Sequence, residues 1–244
     1  MIASGPKSKS ARPTLGHSEP LENGERLTAP EFLRRYETMP RLKKAELIEG
    51  VVYMGSPVRY SQHGQPDGLV QLWLGTYAAH TPGVEFVPNT TAQLDLDNVP
   101  QPDSMLRIRQ EYGGQSRVDH SDYLTGAPEL VAEIAASSAS IDLRDKLNAY
   151  RRNGVKEYLT WRTLENQFDW RILDEGEFRP LNPRPNGVLR STVFAGLWLS
   201  LQALLKRDAS AVLSCLNKGL RSREHKAFVA ELAARRAAVV KTKN

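Results

Sequence analysis

The sequence holds a single cysteine, Cys215, among its 244 residues. That excludes an internal disulfide framework and any multi-cysteine zinc site. Its five histidines, His17, His63, His80, His120 and His225, show no metal-ligand spacing, so zinc-finger and zinc-hydrolase motifs are missing too. No apolar run approaches the ~18 residues that a membrane helix needs, and the first 26 residues lack the apolar block of a secretory signal. A soluble, cytoplasmic chain with no membrane partner is the expectation. Neither a Gly-x-x-x-x-Gly-Lys phosphate loop nor a Gly-x-Gly-x-x-Gly dinucleotide motif is present, and no internal repeat is found. What remains is an ordinary globular composition, 40% hydrophobic and 25% charged, with enough length to bury one sizeable core.

The net charge of +5 suggests a nucleic-acid partner until its placement is read. Ten Lys and Arg against three acids lie between Lys206 and Asn244, a surplus of seven, which leaves the rest of the chain at −2. Such a segment could touch phosphates, but it is more often a solvated helix face. Charge alone names no partner.

Composition divides the chain into a polar tail over residues 1–26 with nothing to bury, a domain over 27–205, and a basic, mainly helical extension over 206–244. Thr28-Ala29-Pro30-Glu31 reads as a helix start with a hydroxyl cap and Glu three residues on. Leu47–Met54 reads as a hairpin broken at Gly50, Leu69–Tyr77 as a buried helix, and Val84–Val87, Ala92–Leu96 and Ser104–Ile108 as strands. Gln110–Gly126 reads as a long loop. Leu130–Ala135 is a nearly continuous apolar run, the mark of a central strand buried on both faces. A helix over about Ser140–Arg152 stops at Asn153-Gly154, and Glu157–Trp161 with Gln167–Leu173 reads as an outer strand pair. Val193–Leu205 reads as a strand running into a helix. The order of elements predicts an α/β fold with a mixed sheet.

Within the run Leu130–Ala135 stands one carboxylate, Glu133. Burying it ionised costs several kcal/mol unless a cation or strong donors compensate. Asp103, after Pro102, begins the strand Ser104–Ile108. If the two strands are neighbours, the two acids converge, and a divalent ion would relieve their mutual repulsion with hard oxygen ligands.

The succession Glu46-Leu47-Ile48-Glu49-Gly50, His63, Pro100-Gln101-Pro102-Asp103, Pro128 to Ile134, Asp142, Lys146, Tyr150 and Gly154 to Tyr158 resembles the Uma-type restriction endonuclease family. That family lies within the restriction-endonuclease-like PD-(D/E)xK nuclease superfamily. The resemblance covers about Thr28 to Leu205 and implies a restriction-endonuclease-like core, a central mixed β-sheet flanked by helices. It further implies a divalent-metal-dependent endonuclease on DNA, with Mg²⁺ or Mn²⁺ on Asp103, Glu133 and the backbone carbonyl of Ile134. Lys146 would serve as the catalytic lysine and Glu49 as an auxiliary site acid. The superfamily's lysine usually stands two residues after the second acid, where this chain has Ala135. That departure keeps a second reading open, a nuclease-fold module that binds or assembles without turnover.

Plainer roles exist for each residue. Glu133 could pair with an arginine, Asp103 could cap a turn, and Asp142 with Lys146 fits a surface ion pair. Glu49 could be a solvated turn residue, Tyr150 core, and His63 a hydrogen-bonded structural histidine. Asp95 and Asp97 lead into Asn98-Val99-Pro100 and read as a turn, while Glu157 begins a strand near the site without acting in it. Arg107, Arg109, Arg144, Arg151, Arg152 and the basic extension are the candidates for DNA-backbone contacts. A homodimer is compatible with the sequence, which does not specify one.

Overall fold

The buried acid's strand lies where its composition requires, inside a six-stranded sheet with helices on both faces. A computed structural model describes residues 19–55, 57–136 and 143–243. The strands are β1 (Ala45–Ile48), β2 (Val51–Met54), β3 (Val84–Pro88), β4 (Ala92–Gln93), β5 (Ser104–Ile108), β6 (Arg117–Val118), β7 (Leu124–Thr125), β8 (Leu130–Ala135), β9 (Glu157–Arg162), β10 (Gln167–Asp174), β11 (Glu177–Pro180), β12 (Val188–Arg190) and β13 (Trp198–Ser200). The helices are α1 (Ala29–Glu37), α2 (Gln65–Ala79), α3 (Asp145–Arg152), α4 (Leu201–Leu205), α5 (Ala209–Leu220) and α6 (Arg223–Lys243).

The main sheet runs β11-β10-β9-β8-β5-β3; β8 and β9 are parallel and the other pairs antiparallel, so it is mixed. Side chains alternate across a strand, and the core divides accordingly. Leu106, Ile108, Leu130, Ala132, Ile134, Leu159 and Trp161 face α2, α5 and α6, where Trp73, Tyr77, Leu216, Phe228 and Leu232 join them. Met105, Val131 and Tyr158 face the other way, toward Tyr150 of α3. A third cluster packs α1 against the β1–β2 hairpin through Phe32, Leu47 and Val52. Among the described residues no helix is long and apolar enough to cross a membrane.

Several expectations change. The tail read as lacking order through residue 26 is bonded from residue 19 among the described residues. There Leu21 is buried in the α1 cluster and the Gly24 amide donates to the Val52 carbonyl at 2.8 Å. Thr28 makes no side-chain cap, and Glu31 pairs instead with Arg34 and Arg35 at 2.8 and 2.6 Å. The loop Gln110–Gly126 contains a 3₁₀ turn, Gln110–Tyr112, and β6 and β7, which form a small sheet with β4. Only Ala92–Gln93 of the predicted strand Ala92–Leu96 pairs, because Asp95 turns the chain by accepting from the Asp97 amide and the Asn98 side chain. β9 is an interior strand, not an outer one, with β8 and β10 bonded to its two edges. Helix α3 begins at Asp145; Ser140 and Asp142 lie outside the described residues.

Candidate active site

Register brings the two acids together. Ser104 stands opposite Ala132 and Met105 opposite Val131, so one step outward sets Asp103 opposite Glu133. Residues opposed in an antiparallel pair project from the same face. That face is the one Met105 and Val131 present to α3, and α3 returns two side chains to it one helical turn apart. The Lys146 ammonium lies 2.9 Å from Glu133 Oε1, and the Tyr150 hydroxyl donates to the same oxygen at 2.9 Å. Lys146 is 3% exposed and so is not a surface residue; Asp142, its expected partner, lies outside the described residues. The same ammonium lies 2.9 Å from Glu46 Oε1, an oxygen that also accepts from the Gln101 amide at 2.7 Å.

Asp103 accepts from the Ile134 amide at 2.9 Å through Oδ2, which His63 Nε2 approaches at 3.3 Å, while Lys44 Nζ lies 3.3 Å from Oδ1. Burial alone would raise this carboxyl's proton affinity. The His63 hydrogen bond and the Lys44 charge outweigh it and hold the group well below the usual carboxylate range. In return the bond to Asp103 raises His63 above its ordinary value against the opposing effect of burial. On α2, burial and the Asp103 charge push Asp67 up to about 6. Tyr150 is raised well above its ordinary value, first by complete burial and then by the Glu133 charge, and stays a donor.

Lys44, Glu46, His63, Asp103, Glu133, Ile134 and Lys146 form the floor of a cleft of about 880 Å³. Sequence reasoning singled out Asp103, Glu133, Ile134 and Lys146, and the structure collects all four. It missed Lys44, and of the acids in Glu46-Leu47-Ile48-Glu49 it gave a site role to Glu49 alone. Glu49 is placed elsewhere. With φ of 52° before Gly50 at 73°, it occupies the hairpin turn and pairs with Arg152 at 2.7 Å. The turn removes Glu49 from the strand and leaves Glu46, inside β1, to face the cleft. The arginines are largely matched by acids: Arg107 is buried against Glu85, Arg109 meets Glu85 and Glu111, and Arg151 meets Glu177. Glu157, fully buried, accepts from Ser191 and from the Thr192 amide and hydroxyl, a structural clamp away from the cleft.

Among the described residues, no three His, Cys, Asp or Glu side chains by themselves form a metal cage. The two opposed carboxylates, in a cleft that Ile134 also lines, make a sparser, hard-oxygen donor set. It suits an ion such as Mg²⁺ that keeps several waters and binds through one or two carboxylates.

The family model described as Uma2, "Putative restriction endonuclease", matches residues 29–202. A crystal structure of a "putative nuclease belonging to DUF820" from Anabaena variabilis ATCC 29413 aligns with a TM-score of 0.57 at 16% identity. It covers 74% of this chain and 98% of that chain, and what the two share at that identity is the fold. No curated protein matches.

Proposed function

The chain belongs to the Uma2 family, whose model covers residues 29–202, and from that membership we propose that it is a divalent-metal-dependent endonuclease that hydrolyses phosphodiester bonds in DNA. The observation that carries the reading is the cross-strand opposition of Asp103 and Glu133 in one cleft with Lys146 between Glu133 and Glu46. Asp103, Glu133 and the Ile134 carbonyl would hold Mg²⁺ or Mn²⁺. When bound, such an ion polarises a phosphoryl oxygen and makes water a better nucleophile at neutral pH.

The chain's own residues do the rest. Asp103, held ionised by His63 and Lys44, stays a ligand rather than an acid. The Ile134 amide fixes its orientation at 2.9 Å. Tyr150 and Lys146 both bind Glu133 Oε1, which fixes that carboxylate in turn. Lys146 brings a positive charge to the cleft floor, where negative charge gathers on the phosphoryl oxygens during in-line attack. Its place on α3 supplies the charge that Ala135 cannot. We further propose that residues 27–205 carry the nuclease domain and its site, with 206–244 as a helical extension that packs into the same core.

Incubating the purified chain with supercoiled and linear DNA in Mg²⁺ or Mn²⁺ tests the reading. The wild type is expected to nick or linearise the DNA, and Asp103→Asn and Glu133→Gln are expected to lose that activity. Cleavage that persists in both variants would sink the site. Tight DNA binding without cleavage by the wild type would favour the module without turnover.

A further inference from the structure

Beside the charged floor the same cleft has an apolar wall, and phosphate chemistry does not need one. Pro57, Val58 and Leu164 line it together with Arg59. Val58 and Leu164 of this lining are 71% and 61% exposed, and Tyr60, which follows Arg59 in the chain and stands at the rim without lining the cleft itself, is 81% exposed; they are three of the four most exposed large apolar side chains among the described residues. They come from two chain segments. Val58 and Tyr60 flank Arg59 at the start of a π-helical turn, Tyr60–Gly64, that also delivers His63 to Asp103. Leu164 lies in the β9–β10 connection, which is tied to that turn by the Thr163 hydroxyl donating to the Gln62 carbonyl at 2.6 Å. Exposed apolar side chains gathered at a cleft mark a binding surface more often than chance exposure does.

We propose that this rim is a base-stacking subsite and that the substrate enters as an unpaired strand of DNA, with a nucleobase against Tyr60, Val58 and Leu164 while the neighbouring phosphate lies over Asp103 and Glu133. The inference rests on the nuclease reading above and specifies the substrate form of that same site. A base-paired duplex turns its base faces inward and would offer this wall only sugar and phosphate. An unpaired strand offers an apolar ring face and a phosphate side by side, which matches an apolar wall beside a floor where Lys44 and Lys146 stand among the carboxylates. Arg59, between the two apolar rim residues in sequence, and Lys44 supply the positive charge for the backbone. The cleft's 880 Å³ falls in the range of sites that enclose a nucleotide-sized ligand.

The test measures binding of the full chain to a 2-aminopurine-labelled oligonucleotide in Ca²⁺, single-stranded and as a duplex of the same sequence, alongside cleavage in Mg²⁺ or Mn²⁺. The wild type should bind the single strand more tightly and quench the probe. Tyr60→Ala should weaken single-strand binding about tenfold, the scale of one lost base stack, abolish quenching and leave duplex binding unchanged. Tyr60→Phe should behave as the wild type. Tyr60 is exposed, so neither change threatens folding. Equal weakening on both substrates, or none, overturns this inference alone if wild-type cleavage and its loss in Asp103→Asn stand. A monomer–dimer equilibrium that Tyr60→Ala abolishes, with no effect on DNA binding, also overturns it and makes the rim a subunit contact. A wild type that neither binds nor cuts either substrate removes the nuclease reading and this one with it.

Discussion

Lys146 holds two carboxylates at 2.9 Å each while 3% exposed, and an arrangement of that kind is asymmetric in its energetics. The intact triad contributes little net stability, because desolvating three charges offsets most of their attraction. Removing the lysine leaves Glu46 and Glu133 buried and mutually repelling. Lys146→Met is therefore expected to lower unfolding stability by about 3–5 kcal/mol, read by urea denaturation. Adding Glu46→Gln should recover part of the loss, since one of the two facing carboxylates is then neutral. A single variant as stable as the wild type would contradict the packing described. At Asp103 the balance differs: burial alone would protonate it, and a histidine and a lysine reverse that. Glu133 accepts from Lys146 and the Tyr150 hydroxyl, and the Lys146 ammonium joins Glu133 of β8 to Glu46 of β1.

At the scale of elements, the C-terminal helices are joined to the sheet domain by close backbone approach as much as by apolar packing. A Cβ at Gly219 of α5 would collide with the Gly196 backbone and the Trp198 ring. Gly219→Ala is expected to cost about 1–3 kcal/mol, the usual penalty for overpacking, visible as a lower urea midpoint with an unchanged slope. Helix α6 adds a titrating contact. His225 is buried against α2, with Nε2 3.0 Å from the Thr81 hydroxyl and Nδ1 2.9 Å from the Leu220 carbonyl, and with the Tyr77 ring beside it. Burial lowers its pKa from 6.5, opposed by the Leu220 hydrogen bond and reinforced by His80. The unfolded chain then takes up a proton before the folded one does. The stability from neutral His225 is present above about pH 6.5 and declines as the pH falls through 6.5 toward the lower folded value. Thermal unfolding followed from pH 7.5 to 5 should show that decline in the wild type and a flatter profile in His225→Gln.

For the whole molecule, the basic segment after Lys206 is not an appendage. Val212, Leu216, Phe228 and Leu232 are buried in the main core, and Arg236 donates to the Tyr112 hydroxyl at 3.0 Å. Deleting residues 206–244 should expose that core and yield insoluble or unfolded protein, measured by circular dichroism and sedimentation. A deletion with wild-type stability and cleavage would show the extension to be dispensable.

Local rules are legible in a sequence: periodicity, turn residues and burial cost are set by neighbours along the chain. They placed the hairpin around Gly50, the central strand Leu130–Ala135, the stop at Asn153-Gly154, and the anomaly of one acid in an apolar run. They also made Asp103 and Glu133 the pair to examine. Which charged side chains share a cleft is decided by non-local pairing. The opposition of Asp103 to Glu133 depends on the β5–β8 register across some twenty intervening residues, Arg109 to Glu129, that include two short strands and a 3₁₀ turn. Glu46 and Lys44 enter the site because the β1–β2 hairpin docks beside α3, and nothing around either residue in the chain encodes that docking. Local sequence sets the cost of burying a charge, and only the assembled fold supplies the partner that makes it bearable.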